Sequence, residues 1–309
     1  MPIGPRIAQG LDEVVSLDGW EPDEDFPFGP LGAKAKRIFI CPTPAPYGFL
    51  IGGHRYIFKE PEGSKAQQVW SEVIAYEIAK LVHVEVPPAF LATGPGNGSP
   101  GVLIEYFYGH VGDPDRRLVH GIERLQARGF QTDLRRGSLS GSHKVPHAGA
   151  WWAQTLAFDS LIGNTDRHSE NWGFLVEPSP DGGRHLSMAP AFDNGTSLGF
   201  IVGDRQLADF TKPERLGQFI ANGHHHFGWT SGDKGSGQHV ALCRWFARQY
   251  PSTQALMRDT VNIADSEVDA VVVRCVGTRF PTVFSEQRAQ FVAAQLKARR
   301  EELLNALGA

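Results

Sequence analysis

The sequence predicts an α+β chain in two lobes that share a cleft, a small antiparallel β lobe crossed by one helix and then a larger, mostly helical lobe. Three observations carry this. Short runs of β-branched and aromatic residues, Arg37-Ile-Phe-Ile-Cys41 and Arg55-Tyr-Ile-Phe-Lys59, cluster early in the chain. Apolar residues recur at helical spacing through most of the second half. The 309 residues, 41% of them hydrophobic, suffice for two packed lobes.

Residues 1–34 are rich in Gly, Pro and acid and read as an irregular arm on the surface. The small lobe runs over 35–107. Gly48-Phe-Leu-Ile51 lies between the two strand runs, and Gly52-Gly53 supplies a tight turn, which predicts three antiparallel strands. Ser64 to Val82 reads as a helix, with Val69, Val73, Tyr76, Ile78 and Val82 on a broad apolar face, and Pro87-Pro88 lies beyond its end. Strands at Ala89–Ala92 and Val102–Phe107 complete a five-stranded lobe. The large lobe spans 108–309. Residues 110–147 are polar and Arg/Ser-rich and contain RRGSLSGSHK, which reads as a mobile insertion over 135–147. Trp151 to Ile162 is a strongly apolar helix, and Asn171–Val176 with His185–Met188 forms a hairpin. Helices follow near Gln238–Gln249, Ser252–Ile263, Ser266–Val276 and Ser285–Leu307.

Composition excludes several classes. Charged residues make up 21%, an ordinary globular share. A net charge of -4 argues against a nucleic-acid backbone as the main partner. No apolar run reaches the roughly 20 residues needed to span a bilayer, and the first residues lack an apolar signal core. Cys41, Cys243 and Cys275 are scattered, with no CxxC pair, as expected of buried thiols in a reducing cytoplasm.

The most informative stretch is Gly163-Asn-Thr-Asp166-Arg-His168-Ser-Glu-Asn171, a polar loop between an apolar helix and a strand. Asp166 and Asn171 stand five apart, the spacing at which protein kinases place the Asp that accepts the substrate hydroxyl proton and the Asn that binds Mg²⁺. Beyond the hairpin, Ala191-Phe-Asp193-Asn-Gly195 offers a carboxylate on a sharp turn. Carboxylate and amide oxygens together suit Mg²⁺. Lys59, at the end of its strand, is placed to meet the α- and β-phosphates of ATP. Its partner should be a Glu on the next helix, and Glu72 and Glu77 both qualify. Each piece alone is an ordinary turn or strand end. The ordered set of four points to phosphoryl transfer.

The loop Asn164-Thr-Asp-Arg-His-Ser-Glu-Asn171 resembles the N-x-D-x-H-x-x-N loop of HipA-like serine/threonine kinases, known from toxin–antitoxin systems. Met188-Ala-Pro-Ala-Phe-Asp193 resembles their L-A-P-x-Y-D segment. Trp70-Ser-Glu72 through Val86-Pro87-Pro88 is similar to the stretch from the helix Glu to G-x-x-V-P, which selects Glu72 over Glu77. The resemblance covers roughly Phe39 to Phe200. It implies a protein-kinase-like fold using ATP and Mg²⁺, with Asp166 and His168 catalytic and Asn171 and Asp193 on the metal. It also implies Lys59 and Glu72 at the nucleotide, with Glu105-Tyr106-Phe107 as the hinge that receives adenine. A protein acceptor and a separate antitoxin partner follow from the same likeness. Ahead of the small lobe only the short arm is expected, with no room for the family's additional N-terminal domain. The phosphate-covering loop is expected between the first two strands, at Pro42–Gly48, where three prolines remove N–H donors. Thr43 is its candidate for self-phosphorylation.

Phosphatidylinositol kinases share the D-R-H-x-x-N loop, so a small-molecule or lipid kinase is the alternative, and an inactive binding module is a third reading. No membrane and no direct nucleic-acid partner is expected. His224-His225-His226 reads as a polar loop, and Trp151 and Trp152 as packing for the large lobe.

Overall fold

The computed structural model describes residues 7–10, 12–23, 36–129, 142, 144–179, 181–226 and 236–308. The main sheet has six strands. They are β1 (Val15–Ser16), β2 (Glu21–Pro22), β3 (Lys36–Ile40), β4 (Arg55–Lys59), β5 (Ala89–Thr93) and β6 (Pro100–Glu105), in the order β1-β5-β6-β4-β3-β2. All neighbours are antiparallel except β1 and β5.

Alternation along these strands buries both faces. Ile38, Ile57, Leu91 and Ile104 share one core with α1 (Gln68–Leu81), through Val69, Ile74 and Ile78. Phe39, Tyr56, Phe58, Phe90 and Leu103 point the other way. The N-terminal arm covers them with Val15, Leu17 and Trp20, all buried. The expected surface arm is therefore a structural layer that supplies two sheet strands. Arg55 on β4 pins it further by an ion pair to Asp23.

Gly48–Ile51 is not a strand. Those residues turn, with Leu50 N–H donating to Tyr47 O at 3.1 Å. Phe49 folds inward between Tyr47 and Phe90, at ring centroid distances of 5.1 and 5.0 Å. The Gly52-Gly53 turn is present, and Gly53 N–H closes it onto Cys41 O at 2.8 Å. Gly53 has a φ of 73°, a conformation that glycine adopts without strain.

The segment 110–147 carries regular structure ahead of the expected insertion. It contributes β7 (Arg117–His120) and α2 (Gly121–Gln126), while 130–141 and 143 lie outside the described residues. β7 joins β8 (Gly173–Pro178) and β9 (Arg184–Met188) in a second, antiparallel sheet.

The remaining elements are helical. α3 (Ala148–Ile162) runs through the core with α6 (His239–Gln249), α7 (Gln254–Val261), α8 (Asp265–Arg274) and α9 (Glu286–Ala306). Val292, Leu296 and Leu303 of α9 are buried, and Ser285 caps its start by accepting from Arg288 N–H. Two short helices were not expected, α4 (Leu207–Phe210) and α5 (Pro213–Ala221). The three cysteines are free and buried, which pushes their thiols up, Cys41 to about 11 and Cys243 and Cys275 to about 12. No helix among the described residues is long and apolar enough to cross a membrane.

Candidate active site

Three chain segments from different elements meet where the main sheet faces the second sheet and α3. The first is the end of β4. Lys59 Nζ donates to Glu72 Oε1 on α1 at 2.8 Å and to Asp193 Oδ1 at 2.9 Å. Burial alone would lower the Lys59 pKa, but the Asp193 and Glu72 carboxylates outweigh it and hold the ammonium charged well above its ordinary value. Glu72 has a second task, since its Oε2 accepts Asn194 N–H at 3.0 Å. One carboxylate thus ties α1 both to the lysine and to the Asp193 segment. Glu77 is elsewhere engaged, with Lys80 at 2.8 Å and Arg274 at 2.7 Å.

The second segment is the loop after α3. The helix stops at Gly163, whose φ of 68° is left-handed. A Cβ there would come within 2.9 Å of the Arg299 guanidinium. The loop then folds on itself. Asn164 Oδ1 accepts Asp166 N–H at 3.1 Å and the Thr196 hydroxyl at 2.9 Å. Asn171 Nδ2 donates to Asp166 O at 2.7 Å, which fixes the orientation of its side-chain amide. The Asp166 side chain is 42% exposed, so its carboxylate is open to an incoming group. His168 Nδ1 accepts Glu170 N–H at 3.2 Å, leaving Nε2 to carry the proton in the neutral ring. That Nε2 stands 3.9 Å from Asp166 Oδ1, too far for a hydrogen bond.

The third segment is Phe192-Asp193-Asn194. Asp193 adopts a φ of 62°, which an Asp tolerates better than most residues and which turns its side chain toward Lys59.

Arg167 fastens the second segment to the third. It is fully buried and donates to Asp159 Oδ1 at 2.7 Å, Asp159 Oδ2 at 3.0 Å, Asn171 O at 3.0 Å and Asn194 Oδ1 at 2.6 Å, and also to Phe192 O. Burial raises the Asp159 pKa, yet the Arg167 guanidinium and the His225 ring outweigh it and hold the carboxyl well below the usual range. His225 reaches Asp159 Oδ2 at 3.0 Å, and burial lowers the pKa of its own ring.

The histidine run is therefore not a plain polar loop. His225 belongs to this buried network, and His226 Nδ1 comes within 3.6 Å of Asp166 Oδ1. Sequence reasoning missed Asp159, Arg167 and both histidines. The signal for Asp159 was there, because a carboxylate inside Leu-Ala-Phe-Asp-Ser-Leu-Ile must find a partner.

β6 ends at an apolar slot lined by Ile57, Pro87, Ile104, Phe107, Leu118 and Phe192, together with Lys59 and Asp193. The Phe107 and Phe192 rings stack at 5.5 Å. Tyr106 N–H donates to Arg55 O and Tyr106 O meets His54 Nε2 at 2.6 Å, so this peptide is held by protein. Phe107 N–H has no partner among the described residues. The Glu105 side chain is buried and meets Tyr56 and His110.

Thr43 lies outside this gathering. Lys36 pairs with Lys59 at one end of the β3–β4 hairpin, and Ile40 pairs with Arg55 at the other. The Pro42–Gly48 loop follows the Ile40 end, the far end from Lys59. Asp23 N–H donates to Ile38 O, so the chain leaving β2 runs toward the Lys59 end. Residues 24–35, which link β2 to β3 in sequence, lie outside the described residues. Pro42–Gly48, expected to cover the phosphates, thus lies at the end of β4 opposite Lys59, because the arm supplies a strand ahead of the first one predicted.

No family model matches the chain, and no curated protein matches it. Solved structures do. The Helicobacter pylori proinflammatory kinase CtkA aligns with a TM-score of 0.72 at 17% identity, over 95% of this chain and 96% of its own. HipA of Shewanella oneidensis MR-1, in a toxin–antitoxin complex with HipB and operator DNA, aligns with a TM-score of 0.54 at 16% identity. That match spans 90% of this chain and 65% of HipA. The chain has the protein-kinase-like fold that CtkA and HipA share.

Proposed function

We propose that this chain is an ATP- and Mg²⁺-dependent kinase of the HipA-like kind, acting on a serine or threonine hydroxyl of a protein. The observation that carries the reading is the Lys59–Glu72–Asp193 clasp, joined through Arg167 to the loop that presents Asp166. Phosphoryl transfer asks the protein chiefly for positioning and charge stabilisation. In this reading Lys59 contacts the α- and β-phosphates. The slot under Ile57 and Ile104 takes the adenine, with Phe107 N–H as its backbone donor. The Asp193 carboxylate and the Asn171 amide oxygen form a hard oxygen donor set that fits Mg²⁺. Bound there, the ion would neutralise charge developing on the transferred phosphoryl group. Asp166, exposed on its rigid loop, accepts the proton of the acceptor hydroxyl. His226 and His168 stand beside it on the acceptor side. By analogy with the HipA–HipB complex, a separate antitoxin chain is the regulatory partner we would look for.

The test uses γ-labelled ATP, Mg²⁺ and a cell lysate. The wild-type chain should transfer label to protein. Asp166→Asn should keep its thermal midpoint and its Mg²⁺-dependent stabilisation by ATP while losing transfer by at least about a hundredfold. Undiminished transfer by a folded Asp166→Asn protein would remove Asp166 from the mechanism.

A further inference from the structure

We propose that the groove between α2 and the β7–β8–β9 sheet docks an acidic segment of the protein acceptor that carries an apolar anchor; this rests on the kinase reading above. The groove has a volume of about 880 Å³. Its floor is aliphatic and aromatic, formed by Val119, Val145, Phe174, Val176 and Leu186, which pack together as a small separate core. Its rim is basic. Arg116 is paired with Glu177 at 2.9 Å, and Arg117 faces Glu123 at 3.9 Å. Arg124, Lys144 and Arg184 also line the groove, and none has an ionic partner among the described residues.

Arg124, Lys144 and Arg184 outnumber the rim carboxylates Asp115 and Glu123, of which Glu123 faces Arg117, and with the apolar floor they define what fits. A ligand must place anions at the rim and cover hydrocarbon beneath, and a peptide with carboxylates around a leucine or phenylalanine does both. Nucleic acid fits less well. The groove's one aromatic ring, Phe174, is buried and offers no stacking face, and the whole chain is net acidic.

The position matters as much as the chemistry. α2 forms one wall and is bonded to the Asp166 loop. Ile122 N–H donates to Ser169 O at 2.8 Å, and Gly121 N–H donates to Trp172 O at 2.9 Å. The His120 ring meets Glu170 O at 2.8 Å. A segment held in the groove is therefore tethered beside the loop that presents Asp166, which raises the local concentration of the attached hydroxyl.

The experiment measures fluorescence anisotropy of labelled peptides with the full chain, wild type and the triple charge reversal Arg124→Glu, Lys144→Glu, Arg184→Glu. These side chains lie outside the nucleotide slot, so the variant should retain ATP-induced thermal stabilisation. The glutamate–leucine peptide should bind wild type, and the reversal should weaken it by at least about tenfold. A glutamate–serine peptide should bind more weakly, and a lysine–leucine peptide should not bind. Fused to a serine acceptor, the glutamate–leucine segment should lower KM without changing kcat, and the reversal should erase that gain.

No peptide binding to wild type, or equal binding to the reversal, would overturn the proposal. So would an oligonucleotide that binds with the same arginine dependence while the peptide does not, or a dimer in sedimentation that the reversal dissolves. Loss of phosphate transfer with intact peptide binding would instead count against the kinase reading alone.

Discussion

Arg167 shows how much of this site depends on a side chain with no place in the chemistry. Its guanidinium reaches a helix carboxylate, the backbone of the Asp166 loop and the residues on either side of Asp193. A planar fork with five donors can do this, and an ammonium cannot. Replacing it leaves Asp159 charged and buried, with three other acceptors short of a donor. Arg167→Met should therefore cost about 3–5 kcal/mol in urea-induced unfolding, in the range measured for breaking a buried pair from one side. Arg167→Lys should recover only part of it. A loss near that of an ordinary surface substitution would show that water or relaxation replaces the fork. Lys59, Glu72, Asp166, Asn171 and Asp193 were singled out because the proposed phosphoryl transfer would call for those residue types in that order, and the structure brings Lys59, Glu72 and Asp193 into contact. Arg167 and Asp159 were legible only as a pair, across two elements whose contact the sequence does not state.

At the scale of elements, the long helices were readable and the arm was not. α3 and α9 have apolar residues enough to declare themselves. β1 and β2 have two residues each and no periodicity of their own. The clue lay in the strands they cover. Arg55-Tyr-Ile-Phe-Lys59 is apolar on both faces, so a single helix beneath could not bury it. If the arm is a true layer, Leu17→Ala should destabilise the chain by about 2–5 kcal/mol, as for a core leucine, in chemical denaturation. A change within experimental error would return the arm to the surface. The packing of α6 against the loop after α3 makes a second claim. His239 reaches Asn164 O at 2.8 Å, and burial followed by the nearby Arg299 charge lowers its pKa well below the ordinary value. Such a histidine is neutral when folded and takes up a proton when unfolded as pH falls below about 6.5, so it contributes stability above that pH and loses it below. His225 has the same sign. His110 has the opposite one, because its hydrogen bond to Glu105 raises its pKa, and its contribution fades as pH rises past its folded value. The comparison that isolates His239 is with His239→Gln. Between pH 7 and 5 the wild type should lose stability more steeply, by up to about 1.4 kcal/mol per pH unit. Parallel curves would mean His239 is not buried neutral.

At the scale of the whole molecule, the cleft's geometry follows from strand order, and strand order was the part hardest to read. Counting from Arg37-Ile-Phe-Ile-Cys41 as the first strand puts the Pro42–Gly48 loop where a phosphate cover belongs. Counting from the arm puts that loop at the opposite end of β4 from Lys59. The four residue steps from Arg55 to Lys59 span about 13 Å at about 3.3 Å each, and Thr43 lies beyond the Arg55 end. That exceeds the Debye length of about 8 Å at physiological salt, so charge placed at Thr43 is largely screened from phosphates held at Lys59. Two arrangements therefore give different numbers for one substitution. If the loop covered the nucleotide, Thr43→Glu would repel the phosphates and weaken binding by an order of magnitude or more. With the loop at the far end, Thr43→Glu should leave the Mg²⁺-ATP dissociation constant within about twofold of wild type at 0.15 M salt, while Lys59→Met lowers affinity sharply under the same conditions. Calorimetric titration of both variants separates the two arrangements. A strong, salt-sensitive loss in Thr43→Glu would mean that the proline loop reaches the phosphates after all, and that the strand order assigned to the arm is wrong.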